Sequence, residues 1–349
     1  MRARERTPIG IDLGTSSIKA AQLARTRTGW RLAASAIYSR LDGEDALSAA
    51  EMDRLLGVLD RAGCTGDTAV LGAPKSMLLT ALVDAPPKSS GAPVEQICAA
   101  EFTRMYRLSP GGCQMHLVEV PSATSRINTS QMSINGLSNT DAERLIAPFD
   151  NAGIIIEAID LGAEARCRAS HPVCAQGDEL TALLDVGASG IGLSVFREGE
   201  SVYHRWLTGA GVGRLVEAVC RSLSIQPAAA RVLVGRVGLI APTCEGLDSV
   251  TVTRVLSLSR EYAEGLFHDI LRSLAYVLDR FPGESVSQCW LIGGGAGIPG
   301  LAAFLTEFAG LEINALTPEQ CGVAGGGLAE STSLVTAVGH AMWGYNDAA

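Results

Sequence analysis

The sequence predicts an α/β protein of two related lobes that face each other across a cleft, with a small subdomain inserted into the first lobe. Three observations predict this class. The chain has 349 residues, a length typical of two domains rather than one compact core. A short motif near the start recurs half a chain later. The stretch from Asp84 to Ile154 has no counterpart at the same offset, which indicates an insertion.

The repeated motif is a strand that ends in an acidic, glycine-containing turn. Residues 10–19 read GIDLGTSSIK, and residues 183–192 read LLDVGASGIG. A shift of 173 residues (185 − 12) superimposes identical residues, namely Asp12 and Asp185, Gly14 and Gly187, Ser16 and Ser189, and Ile18 and Ile191. Each copy continues as an antiparallel meander, with polar tips at residues 26–29 and 197–200.

Helices are predicted between these strands from capping residues and apolar spacing. Ser48 and Thr140 are each followed three residues later by Glu, which is a capping box, and Pro93 opens a third helix. Two further helices are predicted at residues 212–223 and 261–278.

These elements predict the following domain organisation. The first lobe covers residues 8–84, is interrupted by the insert at residues 85–150, and continues through residues 151–181. The second lobe covers residues 182–320 and carries its own small subdomain at about residues 214–262. Residues 321–349 are expected to return to the first lobe as a closing helix.

The composition excludes several classes of function. Twenty-eight Lys and Arg against thirty-seven Asp and Glu give a net charge of −9, which disfavours binding to nucleic acid or to an anionic membrane surface. The nine cysteines contain no C-x-x-C pair and the five histidines are far apart, so neither a metal site of His and Cys ligands nor a disulfide framework is expected.

No segment is expected to insert into a membrane. Residues 285–306 are uncharged, but glycines and Pro299 interrupt them, which predicts a strand, a loop and a helix. The basic start at residues 1–8 is followed by Asp12 and Lys19, which a signal peptide would lack. The protein is therefore predicted to be cytoplasmic.

The two acidic turns have the chemistry of a phosphate-binding site. An Asp-x-Gly turn followed by hydroxyl residues exposes backbone N–H groups and hydroxyls on one concave surface. Two such turns facing each other would hold the β- and γ-phosphates of ATP. Asp12 and Asp185 would then hold a hydrated Mg²⁺, and Lys19 would return along the second strand toward the phosphates.

A third glycine loop follows a buried strand. Residues 289–292 are apolar, residues 293–300 read GGGAGIPG, and a helix through Phe308 is predicted to follow. Such a loop lets adenine and ribose lie against bare backbone close to a helix N-terminus. A single glycine loop is typical of a plain turn, but together with the two acidic turns it indicates a nucleotide site.

These motifs resemble the superfamily of actin, the DnaK-type chaperones, the sugar kinases and FtsA. Residues 12–19 resemble its phosphate-1 hairpin, residues 185–189 its phosphate-2 hairpin, and residues 293–299 its adenosine motif. The resemblance implies an actin-like, ribonuclease H-like fold with a nucleotide cleft.

Over nearly its whole length the chain resembles the PilM family of type IV pilus assembly proteins. The similarity includes residues 208–215 (TGAGVGRL), 334–339 (LVTAVG) and 269–274 (DILRSL), where the family has Glu-Ile-Gln-Arg-Ser-Leu. Two positions depart from the family pattern: Asp269 replaces a longer Glu, and Gly190 stands where relatives often have Thr.

The resemblance implies a site for ATP and Mg²⁺. Asp269 would reach the ribose, with Arg272 and Ser273 at the adenine, and Gly211 would approach the phosphates. The implied nucleotide contacts are Gly14, Thr15, Ser16, Ser17, Lys19, Gly187, Ser189, Gly211, Asp269, Arg272, Ser273, Gly294, Gly295 and Gly297, with Asp12 and Asp185 as metal ligands.

The resemblance also implies a partner. Proteins of this family are cytoplasmic adaptors that are recruited to the inner membrane, where they bind the cytoplasmic N-terminal peptide of the PilN protein. The adaptor thereby connects the membrane complex to the pilus motor and to twitching motility. In this chain the peptide groove would lie between the insert and the first lobe.

Alternative functions stay open at this level. Asp160 and Glu164 are interpreted as capping or solvent-facing residues, with orientation of a water molecule as the alternative, so at most slow ATP hydrolysis is expected. An FtsA-like filament former would carry a basic amphipathic C-terminal helix, which residues 344–349 do not predict. The related secretion protein GspL would continue into a spanning helix, and a small-molecule kinase of the same superfamily would need an acceptor pocket.

Overall fold

The computed structural model describes residues 6–41, 46–120, 130–176, 179–240 and 244–345. The strands in chain order are β1 (Ile9–Leu13), β2 (Ser17–Thr26), β3 (Gly29–Ser39), β4 (Thr68–Gly72), β5 (Leu79–Ala85), β6 (Cys113–Val120), β7 (Ser130–Ser138), β8 (Ile155–Asp160), β9 (Leu180–Val186), β10 (Gly190–Arg197), β11 (Glu200–Thr208), β12 (Val286–Ile292), β13 (Glu312–Ala315) and β14 (Val323–Ala324). The helices are α1 (Ala49–Arg61), α2 (Val94–Tyr106), α3 (Asn139–Asn151), α4 (Gly162–Cys174), α5 (Val212–Leu223), α6 (Pro227–Val237), α7 (Ser249–Arg280), α8 (Leu301–Ala309) and α9 (Val335–Ala341).

Two sheets of matching topology form the two lobes. The first has the strand order β14-β3-β2-β1-β4-β8, and the second has the order β11-β10-β9-β12-β13. In each sheet an antiparallel meander (β1–β3 or β9–β11) is extended by two parallel strands. Thr26 pairs with Gly29 and Arg197 with Glu200 at the hairpin tips. The predicted duplication and both predicted tips are therefore confirmed.

Helices α4 and α9 lie between the two lobes. Their side chains form one apolar cluster with residues from both sheets, including Leu23 from β2 and Leu183 from β9. The two helices approach closely because Gly339 of α9 has no side chain, and a Cβ there would overlap the carbonyl oxygen of Ala165. This layer brings the carboxyl ends of β1 and β9 toward a common space.

The insert is a three-stranded antiparallel sheet with the order β5-β7-β6, covered on one face by α2. Its bounds differ from the expected 85–150. The sheet begins at Leu79, and Leu145 and Phe149 of α3 pack in the core of the first lobe. The inserted unit of the structure therefore runs from β5 through β7, because α3 buries its apolar face against the first lobe.

The second lobe carries a helical subdomain of α5, α6 and the first part of α7. Helix α5 has the predicted bounds, whereas α7 begins at Ser249 rather than at residue 261. The Asp248 carboxylate caps α7 by accepting a 2.8 Å hydrogen bond from the amide of Thr251. The apolar faces of these helices join the core of the second sheet.

Of the two helix caps predicted at Ser48 and Thr140, the first is confirmed and the second is wrong. The Ser48 hydroxyl accepts a hydrogen bond from the amide of Glu51, as predicted. The cap of α3 is Ser138 rather than Thr140, since the Ser138 hydroxyl accepts from the amide of Asp141 at 3.0 Å.

Within the described residues, no helix is both long enough and apolar enough to cross a membrane. Residues 285–306 form β12, a glycine loop and part of α8, as predicted. Residues 1–5 and 346–349, on which the signal-peptide and C-terminal expectations partly depended, lie outside the described residues.

Candidate functional site

A cleft of about 1150 Å³ lies between the two lobes. It opens where the β1–β2 turn, the β9–β10 turn and the loop between β12 and α8 meet. The predicted residues that line it are Asp12, Gly14, Thr15, Ser16, Ser17, Lys19, Asp185, Gly187, Ser189, Gly294, Gly295 and Gly297. The structure therefore gathers most of the predicted site residues around one space.

The first turn is built around an ion pair across its two strands. Asp12 on β1 is the register partner of Lys19 on β2, and the Lys19 Nζ lies 3.1 Å from the Asp12 carboxylate. A Cβ at Gly14 would lie 2.7 Å from this Nζ and 2.8 Å from the carbonyl oxygen of Ser17. Glycine at position 14 thus leaves the space in which the lysine reaches back over the turn.

The second turn has the same design with a cation from another element. The amide of Gly187 donates a 3.0 Å hydrogen bond to the carbonyl of Gly190, which closes the turn. The Asp185 carboxylate lies 3.0 Å from the Arg166 guanidinium, which α4 supplies from the layer between the lobes. Each carboxylate at the cleft therefore has one cation beside it.

The absence of a side chain at Gly190 has a steric cause. A Cβ at this position would lie 2.8 Å from two ring atoms of Trp206 and 2.7 Å from the carbonyl oxygen of Leu207. Trp206 stands on β11 and also lines the cleft. A threonine at this position is thus incompatible with the observed positions of the indole and of the Leu207 carbonyl.

Burial and neighbouring charges shift the two cleft carboxylates in opposite directions. Burial by itself raises the pKa of Asp12, but the Lys19 ammonium, with His340 and Arg166, brings it below its ordinary value. Burial raises the pKa of Asp185, and the negative charge of Asp12 adds to that rise against the effect of Arg166. Two carboxylates that repel each other inside one cleft favour a cation between them.

The glycine loop after β12 presents bare backbone to the cleft. Gly293 has φ +85°, and a Cβ there would overlap the Asp185 carboxylate. The Thr332 hydroxyl holds the loop by donating a 2.8 Å hydrogen bond to the carbonyl of Gly293. Gly294 and Gly297 have no atom within 4 Å of a built Cβ, so this part of the loop borders open space.

Gly211 does not line the cleft. It precedes α5, and a Cβ there would overlap the Ala188 carbonyl and the Gly190 amide. Its neighbours Val212 and Gly213 line the cleft instead. Gly211 therefore supports the second turn from behind, by allowing close packing of backbone on backbone.

The three residues expected at adenosine do not line this cleft. Asp269 and Arg272 form an ion pair with each other and line a separate depression of about 440 Å³ between α5 and α7. Ser273 is fully buried and donates a 3.0 Å hydrogen bond to the carbonyl of Asp269. The α5 residues of this depression include Ala218 and Arg221, of which Arg221 also lines the cleft, and the sequence motif alone did not indicate this placement.

Several cleft residues were not predicted. Arg166, Lys75 and His340 line it near the acidic turns, and Glu217 and Arg231 line it from α5 and α6. Arg166 precedes its partner Asp185 by 19 residues and belongs to a different element. No spacing rule within one helix or hairpin identifies such a pair, so the signal exists only in three dimensions.

Asp160 is neither a capping nor a solvent-facing residue. It is 6% exposed and binds the Arg168 guanidinium at 3.1 Å and the Nδ1 of His340 at 2.8 Å. Burial raises its pKa, but the hydrogen bond and charge of His340, with Arg168, bring it below the ordinary value. The Nε2 of His340 adjoins Gly72 and has no hydrogen-bond partner among the described residues.

The cleft fits a magnesium–nucleotide complex. No group of three or more His, Cys, Asp or Glu residues within the described ranges forms a metal cage. Mg²⁺ requires no such cage, because it binds through one or two carboxylates together with phosphate oxygens and water. Two carboxylates, glycine-lined turns and the nearby cations of Lys19 and Arg166 supply what this ligand requires.

Two duplicated α/β lobes of this topology, joined by a central helical layer and separated by a cleft, define the actin-like class of proteins. Within that class the chain belongs to the family of type IV pilus assembly protein PilM, whose family model matches residues 10–345. Comparison with curated protein sequences found no significant match.

Solved structures of three different proteins are among those that share this fold. A PilM-PilN type IV pilus biogenesis complex matches with a TM-score of 0.77 and 18% identity, over 97% of this chain and 98% of that chain. The ethanolamine utilization protein EutJ from Carboxydothermus hydrogenoformans has a TM-score of 0.57 and 14% identity, over 98% and 90%. MreB5 of Spiroplasma citri bound to AMPPNP has a TM-score of 0.50 and 12% identity, over 96% and 95%.

Proposed function

We propose that this protein is an ATP-binding, actin-like adaptor of the type IV pilus inner-membrane complex. The observation that carries the nucleotide part is that Asp12 and Asp185, at equivalent turns of the duplicated lobes, line one cleft. Asp12 and Asp185 would hold Mg²⁺ with its waters, and the amides and hydroxyls of both turns would hold the phosphates. When bound, Mg²⁺ supplies positive charge that neutralises the phosphates.

The adenosine end of the nucleotide would lie against the glycine loop. Gly294 and Gly297 leave open space there, and the exposed side chains of Glu217 and Arg231 face the same cleft from α5 and α6. These residues replace Asp269, Arg272 and Ser273 in the proposed site. No residue is assigned to catalysis, and hydrolysis is expected to be slow at most.

Calorimetric titration with Mg-ATP tests this proposal. Asp12→Asn is expected to weaken binding at least ~10-fold, the scale of one lost charge-assisted contact of about 1.5 kcal/mol. Asp60→Asn, at an exposed position on α1, is the charge-matched control and should bind like the wild type. Asp269→Asn should also bind like the wild type. If it weakens binding as much as Asp12→Asn does, Asp269 contacts the nucleotide, as the sequence motif predicted. Failure of the wild type to bind Mg-ATP would refute the proposal.

The proposed partner is the cytoplasmic N-terminal peptide of a PilN-like inner-membrane protein. Two observations support the insert as its docking region. β5 and β6 are the outer strands of the three-stranded sheet, and an extended peptide can add to such an edge. Leu82 on β5 is 58% exposed and Met105 on α2 is 47% exposed. The peptide would recruit the adaptor to the membrane and connect it indirectly to the pilus motor.

A labelled peptide of this kind, titrated with and without Mg-ATP, tests the partner. Leu82→Glu should weaken peptide binding at least ~10-fold, since burial of one leucine contributes about 1.5–3 kcal/mol. Val250→Glu places the same charge on an exposed apolar position of α7 and should have no effect. We also propose that ATP stiffens the two lobes and so sets the affinity for the peptide, which should therefore change when Mg-ATP is added. Equal affinities with and without the nucleotide would end that part of the proposal.

A further inference from the structure

Lys75 occupies the turn between the nucleotide cleft and the insert. It begins a short helical turn (Lys75–Met77) that leaves β4 of the first lobe and leads directly into β5 of the insert. The side chain is half-buried, and Lys75 lines the cleft with its neighbour Ser76. A single short segment therefore touches the cleft at one end and starts the inserted sheet at the other.

Lys75 differs in its ion pairing from the other cations that line the cleft from the first lobe and from α4. Lys19 pairs with Asp12, Arg166 with Asp185, and Arg40 with Glu51. No ion pair of Lys75 occurs among the residues that the structure describes. Arg221 and Arg231 line the cleft from the second lobe, but both are exposed to solvent. Lys75 is thus a partly desolvated ammonium that faces the cleft without an acidic partner.

The electrostatic surroundings of Lys75 favour the binding of an anion beside its ammonium group. Burial lowers the pKa of its ammonium, and the positive charge of Arg166 lowers it further. A bound phosphate would reverse both effects, because it supplies the opposite charge and hydrogen-bond acceptors.

We propose that Lys75 binds the terminal phosphate of a nucleoside triphosphate in the cleft and so distinguishes the triphosphate from the diphosphate. The inference rests on the proposed nucleotide site. It adds to that site a residue on the insert side of the cleft that contacts the terminal phosphate. The contact would draw the turn at residues 75–77 toward the phosphates, and β5 follows that turn directly.

Two further contacts connect the start of β5 with the rest of the insert. Thr80 is the register partner of Asn135 on β7, and Asn135 itself lines the cleft. The Tyr106 hydroxyl, at the end of α2, accepts a 3.2 Å hydrogen bond from the Thr80 amide and donates one to its carbonyl. A shift of the β4–β5 turn would therefore reach both the sheet and the helix of the proposed peptide-docking region.

Calorimetry with Mg-ATP and Mg-ADP on the full chain tests the phosphate contact. Lys75→Met should weaken Mg-ATP binding ~10-fold and leave Mg-ADP binding within ~2-fold, since only the triphosphate makes the charge-assisted contact. Lys75→Arg keeps the charge and should recover most of the loss, which also separates charge from a folding defect. Arg27→Met, at the exposed tip between β2 and β3, removes a charge away from the cleft and should match the wild type.

Hydrogen exchange provides the second measurement. In the wild type, Mg-ATP should slow exchange in β5, α2 and β7 more than Mg-ADP does, and Lys75→Met should remove that difference. If the wild type binds neither nucleotide, the nucleotide site and this inference fail together. If the wild type binds both and Lys75→Met shows the wild-type preference for ATP, only the inference fails.

Discussion

Gly190 and Trp206 show how one missing side chain shapes the second acidic turn, between β9 and β10. The indole ring lies where a side chain at position 190 would project, at 2.8 Å from a built Cβ. The sequence revealed the absence of Thr at this position but not its cause, because the two residues lie on paired strands, 16 positions apart (206 − 190). A side chain at position 190 would therefore require both the ring and the Leu207 carbonyl, at 2.7 Å from the same Cβ, to shift.

Gly190→Thr is expected to destabilise the protein by about 1–3 kcal/mol, the usual cost of overpacking a filled site. Urea unfolding of the variant measures this cost. In a Trp206→Ala background the same substitution should cost less, because only the close contact with the Leu207 carbonyl then remains. An equal cost in both backgrounds would show that the indole is not the obstacle.

The lowered pKa of Asp160 predicts how the stability of the protein depends on pH. Its folded-state pKa lies below the ordinary value of 3.8, because His340 and Arg168 stabilise the carboxylate despite its burial. A carboxylate of this kind stabilises the fold above its unfolded pKa, and that contribution disappears as the pH falls through the folded pKa.

The wild type should thus lose stability relative to Asp160→Asn as the pH is lowered from about 5 to about 2. Chemical unfolding of both proteins across this range provides the measurement. At neutral pH Asp160→Asn should be the less stable of the two, since it leaves Arg168 and His340 without their anion. A constant stability difference over the whole range would contradict the predicted role of this carboxylate.

At the scale of elements, the meanders and most helices were predictable because their signals are local. Alternating apolar residues, polar tips and caps lie within a few positions of one another, and both hairpin tips were confirmed. The bounds of the insert were less predictable. Whether α3 belongs to the insert or to the first lobe depends on where Leu145 and Phe149 are buried, which is a tertiary property.

The start of α3 gives a direct test of a local signal. Ser138 and Thr140 are both good capping residues, but only the Ser138 hydroxyl accepts the Asp141 amide. Ser138→Ala should therefore cost about 1 kcal/mol in the free energy of unfolding. Thr140→Ala, at an exposed position of the first turn, should change stability by less than about 0.5 kcal/mol. A larger loss of stability for Thr140→Ala than for Ser138→Ala would show that Thr140 is the cap, as the sequence predicted.

At the scale of the whole molecule, the duplication was the strongest signal and gave the architecture. It placed Asp12 and Asp185 correctly in one cleft, because equivalent turns of related lobes occupy equivalent positions. It gave no information about Arg166, Lys75 or His340, which reach the cleft from elements outside the repeated motif. The α7 motif residues do not line this cleft, since the direction of a long helix relative to the cleft depends on its packing against α5.

The crossing of α4 and α9 is predicted to be intolerant of any added side chain. Gly339→Ala should destabilise the protein by at least about 2 kcal/mol, because its Cβ would overlap the Ala165 carbonyl in a filled layer. Gly265→Ala lies within α7 beside open space and should instead stabilise by up to about 1 kcal/mol. Thermal unfolding of the two variants distinguishes them, and similar effects would show that the layer can open.

The position of α9 in the chain has a consequence for biosynthesis. α9 packs against β1 and β2, yet it follows the entire second lobe. A nascent polypeptide emerging from the ribosome therefore exposes the apolar surface of the first sheet until residues 335–341 have been translated. The second sheet is contiguous in the chain, and its strands are all complete by Ala315. If the second lobe folds before the first, α9 can dock as soon as it is translated, because its neighbours in the second lobe are already in place. Early docking limits the time during which the apolar surface of the first sheet can aggregate.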